Sequence, residues 1–482
     1  CLHWGSYAVS MRLYFLGVAG TAMGNAALLV RDLGHEVIGS DQAVYPPMSD
    51  MLRDAGVEIL EGYSAERLGE LKPDLVVVGN AFSRGNVEVE FLLETRAFEF
   101  VSLPEALYRF ALKGRRNIVV TGTHGKTTTS ALAAYLLLQA KANPGFLIGG
   151  APLDPERGWA NGNLDAPFVI EGDEYDSAFF DKRSKFIHYA PYIVILNNLE
   201  FDHADIFRDL QDVKRTFEHL TRIVPSDGFL LVNGDDENAL SLLPILWTRV
   251  YQVGLASDCD LRIENFKTTQ EGSSFDLVWQ GRQWLSVDWK MTGLFNARNA
   301  AMACLAAALS LSDGASPMAF EAKGIDTFRG VKRRQQVLQE TERRIVMEDF
   351  AHHPTAILEI LSALENRYPN RKIVVAFEPR SNTSRLDVMR EPMLKALARA
   401  DRVVIGAVKQ RSSASVEIMD TEALAIGLRE RGIDAVACQS NDAALESLRS
   451  FCVDANESQV VVFLTNGSFG GIIERFVAGS SD

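Results

Sequence analysis

The chain has 482 residues, 47% of them apolar and 23% charged, with 63 acidic against 49 basic side chains and a net charge of −14. This composition describes a folded globular protein with room for about two to four domains, and it excludes nucleic acid or an anionic membrane as the main partner. Five scattered cysteines (1, 259, 304, 438 and 452), none in a Cys-x-x-Cys pair, fit a reducing compartment and frame neither zinc nor a disulfide. No apolar run is expected to reach the ~18 residues of a membrane span. Cys1–Ser10 lack the basic start and apolar core of a signal peptide, and Met11 reads as the natural start. A cytoplasmic, monomeric protein is expected.

The first segment, 11–112, opens with a strand over Arg12–Leu16. A turn with Gly17, Gly20 and Gly24 follows, then a helical run to Leu33 and a second strand from Glu36 to Asp41. A βαβ start with a glycine-rich first turn and an acidic residue about 20 positions on resembles a dinucleotide fold. The spacing Gly-x-x-Gly-x-x-x-Gly is not the NAD fingerprint, so any diphosphate nucleotide suits this turn. Leu75–Asn80 reads as a further strand ending in a polar loop.

The second segment, 113–327, carries Ile118-Val-Val-Thr-Gly-Thr-His-Gly-Lys-Thr-Thr-Thr129 ahead of an Ala/Leu-rich run to Ala140. This reads as strand, phosphate loop and helix. Backbone N–H groups over Gly122, Thr123, His124 and Gly125 would wrap a triphosphate, and the helix N-terminus adds roughly half a positive charge there. Lys126 would reach the β/γ-phosphates, Thr127 would hold Mg²⁺, and Thr128 continues the loop into the helix. The usual loop has its first glycine five residues before Gly125, where this chain has Val120. Two more strands, Pro167–Ile170 and Tyr192–Leu196, run into Glu171-Gly-Asp-Glu-Tyr-Asp176 and Asn197-Asn-Leu-Glu-Phe-Asp-His203. Ligands in parallel sheets sit beyond the carboxyl ends of strands, so Glu171 and His203 are expected to converge on metal held by Thr127.

The third segment, 328–482, alternates again: strands Arg344–Asp349, Lys372–Phe377, Arg402–Ile405 and Gln459–Leu464, with a helix over Thr355–Asn366 after Pro354. Regular alternation predicts another open, mostly parallel sheet. Lys332-Arg-Arg334 reads as a solvated linker.

Together these residues resemble the Mur ligase family of ATP-dependent amide-bond-forming enzymes. Thr121–Thr128 is similar to that family's ATP loop, and Glu171–Asp176 with Asp202-His203 to its metal motifs. Gly293-Leu-Phe-Asn-Ala-Arg-Asn299 matches its Gly-x-His-Asn-x-x-Asn segment with Phe295 in place of His. Asp349-Phe-Ala-His-His-Pro354 matches its third-domain ATP motif. The resemblance implies three α/β domains: a Rossmann-like N-terminal domain for a UDP-sugar, a central phosphate-loop ATPase domain and a Rossmann-like C-terminal domain that closes at a hinge near 328. It also implies ATP as co-substrate and Mg²⁺, with Mn²⁺ able to substitute. Lys126, Glu171, His203 and Arg380 become the catalytic set, Arg380 contacting substrate charge. Asn296 faces adenine, Arg329 lies near the nucleotide, and Asp349 accepts from the ribose. Gly17, Gly20, Gly24 and Asp41 serve the UDP-sugar.

Within the family, the runs Val44–Ser49, Glu174–Lys185, Leu196–Phe207, Glu378–Thr383 and Asn466–Gly471 go with one reaction. That reaction joins UDP-N-acetylmuramate to the tripeptide L-alanyl-γ-D-glutamyl-meso-diaminopimelate, recycling cell-wall peptide. A sibling that adds free L-alanine typically has Pro-His-Arg-Tyr-Thr-Arg where this chain has Pro379-Arg-Ser-Asn-Thr-Ser384, so a roomier acceptor pocket is expected. The alanine-adding reaction and a non-catalytic UDP-sugar and ATP sensor are the alternatives. Glu218 falls by spacing near the place of the siblings' carbamylated lysine.

Overall fold

The computed structural model describes residues 10–479 other than 43, 45–47, 313, 315, 409–416 and 454–456. Cys1–Val9 and the centre of the Val44–Ser49 run therefore lie outside the described residues. Three sheets follow one another along the chain. The first has five parallel strands in the spatial order Glu58–Glu61, Glu36–Asp41, Arg12–Leu16, Leu75–Val78 and Phe100–Ser102. Its central strands, Arg12–Leu16 and Leu75–Val78, are short apolar runs buried on both faces, as parallel sheets require, while the edge strand Glu58–Glu61 is partly exposed.

The central sheet has ten strands. Its core is parallel, with Asn117–Thr121 between Phe168–Glu171 and Pro191–Leu196. Outward from Pro191–Leu196 lie Phe229–Asn233, Arg249–Gly254 and Leu261–Thr268. The strands Ser273–Trp279 and Arg282–Trp289 extend that edge as an antiparallel meander. The long helix Leu294–Leu311 is apolar and long enough to cross a membrane (mean hydropathy 1.3), contrary to the reading that no such run exists. Its apolar window is 78% buried inside the fold, and it packs on the phosphate-loop helix Lys126–Gln139 as a core element.

The third sheet has six strands, five of them parallel, with Gln336–Glu340 antiparallel at one edge. The chain crosses into it between 332 and 333. Leu153 N donates to Gly330 O and Lys332 N to Ala151 O, so this stretch is fastened to the central domain. Lys332–Arg334 is not a solvated linker. Arg333 donates to Glu348 at 2.5 Å and to the Gly467 carbonyl, and both Arg333 and Arg334 lie over the Phe350 ring. Arginine suits this place because its flat guanidinium stacks and forks at once.

Arg115 fixes the root of the phosphate-loop strand. Its buried guanidinium donates to the carbonyls of Asn161 (2.7 Å), Asn163 (2.8 Å), Ala166 (3.0 Å) and Pro167 (3.3 Å). Burial pulls its pKa down to about 10. Arg115→Ala leaves these carbonyls unpaired and is expected to cost about 3 kcal/mol, read as a lowered denaturant midpoint. Arg115→Lys should recover less than half of that, because a point ammonium cannot fork to four acceptors. A wild-type midpoint for either variant would contradict this.

Candidate active site

The three central parallel strands end side by side: Val120 pairs with Glu171, and Thr121 pairs with Leu196. The register alone therefore carries the loops after 121, 171 and 196 to one place. Gly122 and Gly125 take φ of +126° and +83°, which favour glycine. A Cβ on Gly125 would stand 2.6 Å from Asn299 Oδ1, and one on Gly122 would stand 3.0 Å from Asn198 N. The loop is clamped by its neighbour. His124 N donates to Asn198 Oδ1 at 2.7 Å, Thr123 N to Asn198 O at 3.1 Å, and Glu200 N to Thr123 Oγ1 at 2.9 Å.

Lys126 Nζ donates to Gly122 O at 2.8 Å and to Glu174 Oε2 at 3.2 Å. The other Glu174 oxygen lies 3.0 Å from His203 Nε2. Burial works against ionisation of Glu174, but Lys126 and His203 outweigh it and hold its pKa near about 2. Burial likewise opposes charge on Lys126 and His203, and Glu174 more than offsets it, raising both. His203 sits at φ +55°, a left-handed position, with its N–H donated to Asp202 Oδ1 at 2.7 Å. Glu171 accepts from Thr127 Oγ1 at 3.1 Å and from Gly149 N at 2.7 Å. Burial and then the charge of Asp173 push its pKa up to about 7. A crowded set of oxygens with one imidazole, whose central carboxylate is short of positive charge, fits Mg²⁺ or Mn²⁺.

Lys126, Thr127, Glu171 and His203 thus come together, while the nucleotide-flanking set is more dispersed. Thr128 is buried under the loop. Asn296 is buried, donating to Thr292 O and accepting from Asn299. Asp349 takes Gln335 N and Ala351 N on its two oxygens. Arg329 is committed to Asp154 at 2.6 Å. Arg380 is half-exposed and lies over Gly467. Glu218 points to solvent on the helix Leu210–Thr221 and does not enter the site.

In the first domain, Asp41 Oδ2 accepts from Ala19 N at 2.9 Å and ties the glycine turn shut. Gly17 sits at φ +87°, and Gly20 leaves open space at the helix start. Gly24 is buried, and a Cβ there would strike Met48.

Sequence reasoning did not assign Glu174, Asn198, Glu200 or Asn299 a place at the site. All four lie inside runs that the sequence marks, Glu171–Asp176, Asn197–His203 and Gly293–Asn299. The roles of Asn198 and Glu200 arise only from the approach of two loops.

A parallel sheet with this loop and helix defines a phosphate-loop nucleotide-binding protein. The profile of the Mur ligase family catalytic domain matches residues 12–115, that of the middle domain 120–307, and that of the glutamate ligase domain 333–467. The chain belongs to the Mur ligase family. It is 39% identical over 472 residues to the UDP-N-acetylmuramate–L-alanyl-γ-D-glutamyl-meso-2,6-diaminoheptandioate ligase of Escherichia coli (strain K12), covering 97% of this chain and 98% of that one. It is 29% identical over 435 residues to the UDP-N-acetylmuramate–L-alanine ligase of Clostridium tetani (strain Massachusetts / E88), covering 89% and 90%. The crystal structure of a murein peptide ligase from Psychrobacter arcticus 273-4 superposes with a TM-score of 0.69 at 33% identity, over 97% of this chain and 98% of that one.

Glu171 and His203 both hold a proton more firmly than usual, so a cation must displace protons to bind between them. Binding of Mn²⁺ to the nucleotide-free protein, followed by electron paramagnetic resonance, should tighten at least about tenfold from pH 6 to pH 8. A flat profile would remove Glu171 and His203 from the metal site.

Proposed function

We propose that this chain is an ATP-dependent ligase joining the lactyl carboxylate of UDP-N-acetylmuramate to the amine of L-alanyl-γ-D-glutamyl-meso-diaminopimelate, in the cytosol. A carboxylate is too poor an electrophile for an amine, so it must first be activated. Its oxygen attacks the γ-phosphorus of ATP, the bond to ADP breaks, and an acyl phosphate forms. The peptide amine then attacks the acyl carbon, phosphate leaves, and the amine gives up a proton. The first step is phosphoryl transfer, where a protein mainly positions reactants and offsets charge.

The family resemblance suggests the roles, and the geometry at Lys126, Thr127, Glu171 and His203 supports them. The loop amides over 122–125 and the helix start receive the triphosphate, and Lys126 turns from the Gly122 carbonyl toward the β/γ-phosphates. Thr127, Glu171 and His203 would hold Mg²⁺, which when bound offsets the negative charge of the phosphates and the incoming carboxylate. Glu174 keeps Lys126 and His203 in register before substrate arrives. Asn296, Arg329 and Asp349 serve the nucleoside end. Gly17, Gly20 and Asp41 present the UDP diphosphate turn, and Gly24 packs the helix behind it.

The choice of acceptor rests on the segment Pro379–Ser384, which departs from the alanine-adding siblings at 380, 381, 382 and 384. Its Thr383, which those siblings share, takes the Ala204 N–H at 3.2 Å, one residue beyond His203, and so holds the segment beside the metal-binding loop. That contact supports a segment that reads the acceptor close to the reacting centre, with the half-exposed Arg380 meeting substrate charge. The greater identity to a tripeptide-adding relative than to an alanine-adding one supports the same reading.

The test is ADP release with ATP, Mg²⁺ and UDP-N-acetylmuramate, offering either acceptor. Turnover with the tripeptide at least about a hundredfold above that with L-alanine is expected, from a cost near 3 kcal/mol for losing the peptide contacts. Preference for alanine would overturn the acceptor, and no turnover with either would favour a sensor. Lys126→Ala should abolish ADP formation while UDP-N-acetylmuramate still binds, since the sugar site lies in another domain. Equal loss of both would mean that Lys126 serves the fold.

A further inference from the structure

A second cluster of ionisable side chains lies at the phosphate loop. His124 Nε2 approaches Glu200 Oε2 at 2.7 Å, and His353 Nδ1 approaches the same oxygen at 3.2 Å. The three ligand-type atoms lie within 4.8 Å of one another, and the two imidazoles pack with centroids 4.8 Å apart. The residues come from three places: the phosphate loop, the loop after the strand Pro191–Leu196, and the start of the helix Pro354–Arg367 in the third domain.

Hydrogen bonding alone accounts poorly for this arrangement. His353 caps its helix by accepting the Thr355 N–H on Nδ1 at 3.4 Å. Its Nε2 faces the Phe201 carbonyl at 3.3 Å, which needs a proton on Nε2. In that tautomer the Nδ1 lone pair, held only by the 3.4 Å cap, also faces a carboxylate oxygen 3.2 Å away with no proton between them, and a cation there would take the lone pair over from the Thr355 N–H. Burial and the neighbouring His124 keep the ring neutral, its pKa lowered to about 4. Glu200 stays anionic: burial opposes its charge, but His124 and His353 outweigh it and hold it near about 2. A cation bonded to all three groups resolves the conflict.

The outer partners are those a metal site uses. A ligating imidazole normally donates its other N–H to a carbonyl or carboxylate, as His353 does to Phe201, and a ligating carboxylate is itself held. Thr355 Oγ1 donates to Glu200 Oε1 at 2.5 Å, and His124 is locked through its backbone by Asn198. Two imidazoles and one carboxylate suit a borderline ion such as Zn²⁺ or Co²⁺ with a water in the fourth position, not Mg²⁺ with its oxygen shell. Tetrahedral bonds near 2.1 Å set ligand atoms about 3.4 Å apart, within reach of the distances present.

We propose that His124, Glu200 and His353 form a transition-metal site, separate from the Mg²⁺ site, that staples the third domain to the phosphate loop. The proposal rests on these side chains and not on the identity of the acceptor.

The test uses the full chain, stripped of metal and titrated with Co²⁺, whose d–d absorption in the visible reports a low-coordinate nitrogen and oxygen site. One equivalent should bind with a visible band that Zn²⁺ displaces. The band should survive in His203→Gln. In His353→Gln and in Glu200→Gln, each shown to be folded by its thermal midpoint, Co²⁺ should bind at least about tenfold more weakly. No visible band would overturn the proposal. So would a band that survives both His353→Gln and Glu200→Gln, or one lost in His203→Gln, which would place Co²⁺ at the Mg²⁺ site.

Discussion

Everything at this site depends on one crowding of charge. Three neighbouring parallel strands stop level with each other and release Lys126, Glu171, Glu174 and His203 into a small volume. Without ligands the charges settle among themselves: Glu174 bridges Lys126 and His203, while Glu171 is left short of a cation. On the proposed reading, triphosphate and metal would replace this internal balance with an external one, the triphosphate offering Lys126 an anion in place of Glu174. Left-handed backbone at Gly122, Gly125 and His203 accompanies this crowding, free of strain at the two glycines and unusual only at His203.

The same loops couple the chemistry to the third domain. The 200–204 stretch touches that domain at Thr355 through Glu200, at His353 through Phe201 and at Thr383 through Ala204. It clamps the phosphate loop on its other side through Asn198 and Thr123. A shift of the third domain is therefore felt at His203 and at the phosphate loop together. Gly330 and Lys332 fasten the chain to the central domain and Arg333 to the third, so the chain passes between the two within a short crossing.

Strands such as Leu75–Val78, Asn117–Thr121, Pro191–Leu196 and Gln459–Leu464 were legible because each is an apolar, largely β-branched run buried on both faces, and their loops because glycine and ionisable residues follow directly; Glu58–Glu61 and Arg249–Gly254, half-exposed, were not legible as strands. The meander from Leu261 to Trp289 was not, since its half-exposed strands alternate with charge and lack a glycine-marked ligand loop. Lys332–Arg334 misled because composition sees charge but not the Phe350 ring and the carbonyls that receive it. Glu218 misled because spacing ignores which face of the helix is turned to water. Glu200 was invisible as a site residue because its partners lie 76 and 153 positions away, on a loop and in another domain.

The central claim is that this crowded charge exists to activate a carboxylate by phosphoryl transfer. It is tested most directly with UDP-N-acetylmuramate carrying ¹⁸O in both lactyl carboxyl oxygens. Attack of that carboxylate on the γ-phosphorus predicts that each phosphate released with product carries one ¹⁸O, the other staying in the amide. Unlabelled phosphate, with the second label found in water instead, would contradict the account.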